Sequence, residues 1–421
     1  MKGIRRRVAV LAALLLAAVA TSTGTPPAVA ATTAPRHVFV IILENEDADV
    51  TFGAGSPAPY LATTLPSQGQ LLTQYYGIGH VSLDNYIAMV SGQAPNADTQ
   101  ADCQFFTDFA PSTPLVIAAN GQAVGQGCVF PPAVTTVADQ LEGAGLTWRG
   151  YMDDMGTPCR HPAAGTQDDT QAAEVGDQYA TRHNPFMYFH SIIDDNASCQ
   201  QHVVDLTALT ADLADPSTTA NLSFITPDLC HDGHDSPCVD GQPGGLVSAD
   251  AFLQEWVPKI LDSAAFKADG MLVITFDEGE TGDPSSATAC CGEVPGPNSP
   301  LPGIDGPGGG RIGAVVLSPL TAPGSVNDTP YNHYALLRTV EDAFGLDHLG
   351  FAGASTLQAF GPDVYNAAAA NAAASNADAN ANAGTRTLPA TGRSSPLMLI
   401  AVALVAALGL LMVRRRLRSA R

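Results

Sequence analysis

Three acidic and histidine-rich stretches, each directly after an apolar run, carry most of the chemistry this chain can do. Glu44-Asn45-Glu46-Asp47 follows His37 to Leu43, and Pro227-Asp228-Leu229-Cys230-His231-Asp232-Gly233-His234-Asp235 follows Leu222 to Thr226. Asp277-Glu278-Gly279-Glu280 follows Met271 to Phe276. Carboxylates gathered within a few ångströms repel one another and displace each other's pKa. A divalent cation relieves that repulsion, and carboxylate with some imidazole suits magnesium, calcium, manganese or zinc. A fourth stretch, Gly79 to Gly92, holds Ser82 where a loop becomes a helix. Serine there serves as a helix cap. The same position aims helix N–H groups and the helix dipole at a bound anion such as phosphate. A serine hydroxyl becomes a nucleophile when a metal or a base lowers its hold on its proton. On residue types alone, cap and nucleophile stay equally open.

The elements that must position these residues are short apolar strands. His37–Leu43, Leu222–Thr226, Met271–Phe276 and Ile312–Ser318 are near-continuous apolar runs, as expected of parallel strands with helices on both faces. Helical stretches fall between them, at Leu83–Val90, Ala249–Ser263 and Tyr334–Phe344. Strands alternating with helices predict an α/β fold, a three-layer α/β/α sandwich with a mostly parallel central sheet. Ligand sites of open α/β sheets lie beyond the carboxyl ends of the strands. Three clusters at three such ends are therefore expected to converge on one site.

The ordered motifs resemble a known family. ILEN closes the first strand, and a His80-x-Ser82-x-x-Asn85-Tyr86 pattern opens the helix that ends in Ser91-Gly92. PDLC-x-DGHD at 227–235, TFDEGE at 275–280 and NHYALLRTVEDAFGL at 332–346 follow in order. Trp148 to Asp154 and Arg182-His183-Asn184-Pro185-Phe186 also look familial. Together these resemble the bacterial phosphoesterase family that includes acid phosphatases and phospholipases C, within the alkaline-phosphatase-like superfamily. The resemblance runs from about residue 37 to 346. It implies that Ser82 is the nucleophile, with His80 and Asn45 beside it in catalysis. It implies metal contacts from Glu44, Asp277 and Glu278 and from the late histidine, His333. In the middle cluster Asp228, His234 and Asp235 are taken as donors, with His231 and Asp232 as alternates. Asn85 and His183 are expected at the substrate. Asp84 stands where the family commonly has proline, which bears on the local turn.

The two ends read as an address. Residues 1–30 combine Arg5-Arg6-Arg7, an apolar run from Val8 to Ala20 and an Ala28-Val29-Ala30 site, the form of a secretory signal peptide. At the other end, residues 388–421 hold Leu388-Pro389-Ala390-Thr391-Gly392, an apolar span from Leu397 to Val413 and an arginine-rich tail. That order resembles the sorting signal of sortase-anchored wall proteins. It implies cleavage between Thr391 and Gly392 and covalent attachment of Thr391 to peptidoglycan; a single-span membrane anchor is the other reading. Either places residues 31–365, the expected phosphoesterase domain, outside the cell. Residues 366–387 are rich in alanine and asparagine and read as a spacer.

Charge and cysteine content agree with export. The formal net charge is −22, and both terminal segments carry arginine without acid, so processing makes the body more acidic still. Such a surface repels nucleic acid, and no nucleic-acid partner is expected. Eight cysteines, all between 103 and 291, are an even number in an oxidising compartment. Cys230 with Cys238 is the expected local disulfide, and Cys103 with Cys128 the next.

The expected reaction is hydrolysis of a phosphate ester through a phosphoseryl intermediate, with a divalent metal ion of open identity and number. Acid-phosphatase-like monoesterase is favoured; a phospholipase C-type phosphodiesterase and a non-catalytic wall adhesin on the same fold are the alternatives. A sulfatase is disfavoured because no Cys-x-Pro-x-Arg stretch is present.

Overall fold

The computed structural model describes residues 34–280, 282 and 284–365. The signal-peptide, spacer and sorting-signal segments, with Thr391 and Gly392, lie outside the described residues. All described residues belong to one compact unit, and no helix among them is long and apolar enough to cross a membrane.

Among the described residues, ten strands occur in chain order: β1 (His37–Leu43), β2 (Gln70–Leu72), β3 (Tyr75–Tyr76), β4 (Trp148–Met152), β5 (Val203–Asp205), β6 (Leu222–Thr226), β7 (Gly270–Phe276), β8 (Ala314–Leu317), β9 (Ser325–Asn327) and β10 (Tyr331–Asn332). Eight form the central sheet, in the order β5-β4-β6-β1-β7-β8-β2-β9. β1 lies at its centre, parallel to β6 and to β7, with His37 level with Gly270 and Leu43 level with Phe276. Val38 to Leu43 are all buried, which explains the unbroken apolar run. Alternate β1 side chains meet different layers. Phe39 packs towards Phe266 of the Ala264–Asp269 helix. Val40 lines a small internal cavity together with Met89, Val137 and Leu337 from three helices of the other layer. The sheet is therefore covered on both faces.

The expected strand at 312–318 corrects in direction: β8 runs antiparallel to β7 and to β2. A short apolar run carries no signal of direction, and the other pairings in the sheet are parallel. The strands β2, β4, β5 and β9 were not anticipated; three of them have only three residues. The expected disulfides Cys230–Cys238 and Cys103–Cys128 form. Cys159–Cys199 and Cys290–Cys291 complete the set.

Candidate active site

The Ser82–Ser91 helix is buried at every position. Its N-cap is Val81, in extended backbone, and no side chain of that residue caps it. Ser82 is the first helical residue instead, and the capping oxygen comes from Asp102, which accepts the Leu83 N–H at 3.0 Å. Because a distant carboxylate does the capping, the Ser82 hydroxyl is free for another partner. It donates to Glu44 Oε2 at 2.8 Å.

Glu44 directly follows β1 and is wholly buried. Its other oxygen accepts the Tyr86 hydroxyl at 2.6 Å. His183 approaches the oxygen that Ser82 meets, with Nε2 3.3 Å from Glu44 Oε2 and Nδ1 3.4 Å from Asp232 Oδ2. The imidazole stacks on the Tyr86 ring, centroids 5.4 Å apart. Burial, and next the charge of Asp277, push the Glu44 carboxyl well up. Burial, then Arg182 and His234, push His183 well down.

Asp277, just past β7, turns Oδ1 to the backbone N–H groups of Asn45 at 3.1 Å and Glu278 at 2.6 Å. Its Oδ2 is buried with no hydrogen-bond partner, as is Oδ2 of Asp232. Burial and the neighbouring Glu278 raise the Asp277 carboxyl; burial and Glu44 raise that of Asp232. Asn45 holds a left-handed backbone, φ 55°, which asparagine tolerates, and its side-chain amide donates to Glu278 at 3.1 Å. Glu278 also pairs with His80 Nδ1, whose Nε2 lies 3.1 Å from the Ser286 carbonyl.

The convergence is thus tighter than the expected set in some places and looser in others. Ser82, Glu44, Asp277 and His183 come together. Asp232, an alternate, takes the middle-cluster place beside Glu44. Asp228 belongs elsewhere: it binds His231 Nδ1 at 2.7 Å, with Asp153 Oδ2 at 3.4 Å from the same nitrogen. These three form a donor group whose atoms lie within 4.8 Å of one another. His234 pairs with Asp235 at 2.8 Å and lines a cavity of about 510 Å³ shared with Asn45, Glu46 and Glu280. His333 is not turned to the carboxylates. Its Nε2 meets the Asp277 backbone carbonyl at 2.5 Å and its Nδ1 the Tyr75 hydroxyl at 3.2 Å, so both nitrogens are engaged. Asn85, expected at the substrate, is a buried brace: its Oδ1 accepts the N–H groups of Ile78 and Gly79 at 2.7 and 3.0 Å.

Three residues of the site escaped sequence reasoning. Tyr86 orients Glu44, Asp102 caps the Ser82 helix, and Arg182 lies 3.5 Å from Asp102 while its charge bears on Glu44 and Asp232. Tyr86 closes the His80-x-Ser82-x-x-Asn85-Tyr86 pattern and Arg182 adjoins His183, whereas Asp102, in a loop without apolar pattern, carries no sequence signal.

A buried serine at a helix start thus donates to a carboxylate at one strand end, with buried carboxylates from two other strand ends close by. The phosphoesterase family model matches residues 56–347, and the chain belongs to that family. It is 27% identical over 286 residues to the phosphate-repressible acid phosphatase of Penicillium chrysogenum, covering 68% of this chain and 54% of that one. It is 26% identical over 318 residues to an acid phosphatase of Aspergillus fumigatus, covering 75% and 56%. The chain thus spans a little over half the length of these fungal relatives. A phosphatidylinositol-3-phosphatase of Mycobacterium tuberculosis is 24% identical over 353 residues, covering 83% and 91%. Among solved structures, a protein of the alkaline phosphatase superfamily from Vibrio parahaemolyticus matches with a TM-score of 0.42 and 13% identity, covering 75% and 67%. A phosphonate monoester hydrolase from Silicibacter pomeroyi matches with 0.41 and 12%, covering 78% and 76%. Relatives include fungal proteins, so the family reaches beyond the bacterial members that the motifs resembled.

Proposed function

We propose that this protein is a phosphomonoester hydrolase of acid-phosphatase type, with Ser82 as nucleophile. The observation that carries this is the Ser82 hydroxyl donating to the buried Glu44 carboxylate at the start of a helix. Ser82 Oγ attacks phosphorus in line, forming the P–O bond as the ester P–O bond breaks. Its proton passes to Glu44 Oε2, and the leaving alkoxide takes a proton from a histidine at the site. His234, which lines the cavity and is raised to about 9 by its hydrogen bond to Asp235, is the candidate; His183, pushed well down by burial, lies beside Glu44 instead. Water, giving its proton to that histidine, then attacks phosphorus, and Glu44 returns its proton to Ser82 Oγ as the phosphoseryl P–O bond breaks. The helix N-terminus stabilises the charge on the equatorial oxygens, and Arg182, bound to Asp102 and to the Gln171 carbonyl, adds its positive field from behind.

The chemistry of the donor set, carboxylates with a hydroxyl, suits a divalent cation, while the more compact donor group nearby, with atoms within 4.8 Å of one another, is that of Asp153, Asp228 and His231. Glu44, Asp232 and Asp277 are buried together, and Oδ2 of both aspartates lacks a hydrogen-bond partner. Such an ion, held by these three with Ser82, would supply Lewis-acid stabilisation and relieve their mutual repulsion. The match to nearly the full length of a phosphatidylinositol-3-phosphatase supports a monoester over a diester. Export, sortase cleavage at Thr391 and attachment to peptidoglycan are proposed with it, on the two terminal segments.

The test is hydrolysis of a chromogenic phosphomonoester and a phosphodiester by the purified protein, with added divalent metals and with chelator. Metal-dependent monoester turnover that drops by roughly three orders of magnitude or more in Ser82→Ala is expected. Preference for the diester would favour a phospholipase C-type enzyme. No turnover from a folded, metal-supplied protein would leave the adhesin reading.

A further inference from the structure

Away from Ser82, a cavity of about 550 Å³ is walled by Tyr334, Phe351, Leu357 and Val294 and has Glu293 and Asn332 at one side. That volume suits a small organic molecule. The residues lining it include no lysine and no arginine. Its histidine, His348, is committed to Asp342 at 2.8 Å. The Glu293 carboxylate receives a neutral donor, the Asn332 side-chain amide, at 3.0 Å. Burial pushes this carboxyl up to about 8, with no basic residue opposing the shift. An acid sunk beside aromatic walls without a cation is a costly arrangement that a positively charged guest would relieve. An ammonium group gains a charge-assisted hydrogen bond to the carboxylate and attraction to aromatic faces.

We propose that this cavity binds a small organic cation, with an ammonium group against Glu293 and a hydrocarbon body against Tyr334, Phe351 and Leu357. The site stands independently of the hydrolytic reading. It is nevertheless linked to it, since Asn332 precedes His333, whose ring contacts the Asp277 carbonyl.

Calorimetric titration of the full chain with benzylammonium, and with benzyl alcohol as its neutral counterpart, tests the proposal. Saturable 1:1 binding of the ammonium is expected, with the alcohol weaker. Glu293→Gln should weaken the ammonium by about tenfold or more, the worth of one charge-assisted hydrogen bond. Val294 is 56% exposed, so Val294→Trp narrows the cavity from its rim without disturbing the core and should also weaken binding. Near-ultraviolet circular dichroism shows whether each variant is folded. Equal binding of alcohol and ammonium would reduce the site to an apolar hollow. Undiminished binding by both variants would assign the signal to general attraction by an acidic surface. Either result, or no saturable binding, overturns the proposal.

Discussion

The Ser82 hydroxyl donates to Glu44 Oε2 across 2.8 Å, although 38 positions separate the two residues. Tyr86, one helical turn beyond Ser82, holds the other Glu44 oxygen at 2.6 Å. One carboxylate therefore receives two hydroxyls from one helix, four residues apart and on the same face.

Removing either end of this arrangement should be graded in its effect. Glu44→Gln removes the charge that polarises Ser82 and should cost about two to three orders of magnitude in kcat. Tyr86→Phe leaves the carboxylate in place but unanchored, and about a tenfold loss in kcat/KM is expected, one hydrogen bond to a charged group. Steady-state kinetics on a phosphomonoester decide this. Equal losses in the two variants would argue that Tyr86 touches substrate directly.

Asp232 and Asp228 should separate clearly. Asp232 is beside Glu44 and His183, whereas Asp228 is bound to His231 and near Asp153. Asp232→Asn should reduce turnover by at least about a hundredfold, as loss of a charged donor from a reacting site does. Asp228→Asn should act mainly on thermal stability. The reverse pattern in kinetics and melting would return the middle cluster to its expected form.

Gly79 is required by the buried carboxyl of Asp84. A Cβ at 79 would lie 2.6 and 2.7 Å from the two Asp84 oxygens, and the burial of Asp84 leaves its carboxyl little room to swing aside. Gly79→Ala should destabilise by about 1–3 kcal/mol, the cost of overpacking. Combining it with Asp84→Ala should recover most of that loss. A double-mutant cycle by chemical denaturation measures the coupling, and additive effects would show that the two do not touch.

Stability without metal should peak in mild acid. Burial raises Glu293 from 4.5 to about 8 and Glu341 from 4.5 to about 9. For a raised group, the folded chain keeps a proton that the unfolded chain gives up. That stabilisation is full below 4.5 and is lost as pH rises through 8 to 9. His333 works oppositely: lowered from 6.5 to about 4 by burial, it contributes above 6.5 and loses that contribution as pH falls through 4. Calorimetry in chelator should show a melting temperature that falls on both sides of a maximum between about 4.5 and 6.5. A midpoint climbing steadily into alkali would contradict these shifts.

The Cys230–Cys238 bond joins two positions with a sequence separation of 8 and closes a loop that carries Asp232 and His234. Replacing both cysteines by serine should cost about 2.5 kcal/mol of stability, by the loop-entropy relation. A rise in KM is expected with it, since His234 lines the cavity next to Asn45. Unchanged KM in a measurably less stable variant would mean that the segment holds its shape without the bond.

Much of this was written in residue order. The runs at β1, β6 and β7 are apolar without alternation because both faces of the sheet are covered, so their place in the core was legible. Their polar ends were legible as a site for the same reason, since chemistry collects where such strands stop. The direction of β8 was not, because a four-residue apolar strand reads alike from either end.

Within clusters, sequence left the facing of side chains undecided. Asp228 and Asp232 are four residues apart, yet one joins His231 and the other Glu44, through a loop whose turns no periodicity describes. Asn85 and His333 looked like chemistry and serve as braces, because backbone groups brought near by folding claim their polar atoms first. Asp102 looked like nothing and caps the helix that Ser82 would otherwise have capped. Residue types and strand ends by themselves determined which groups were available and at which end of the sheet. Tertiary structure decided which of them meet, because a side chain's partner depends on backbone paths that return from dozens or hundreds of residues away.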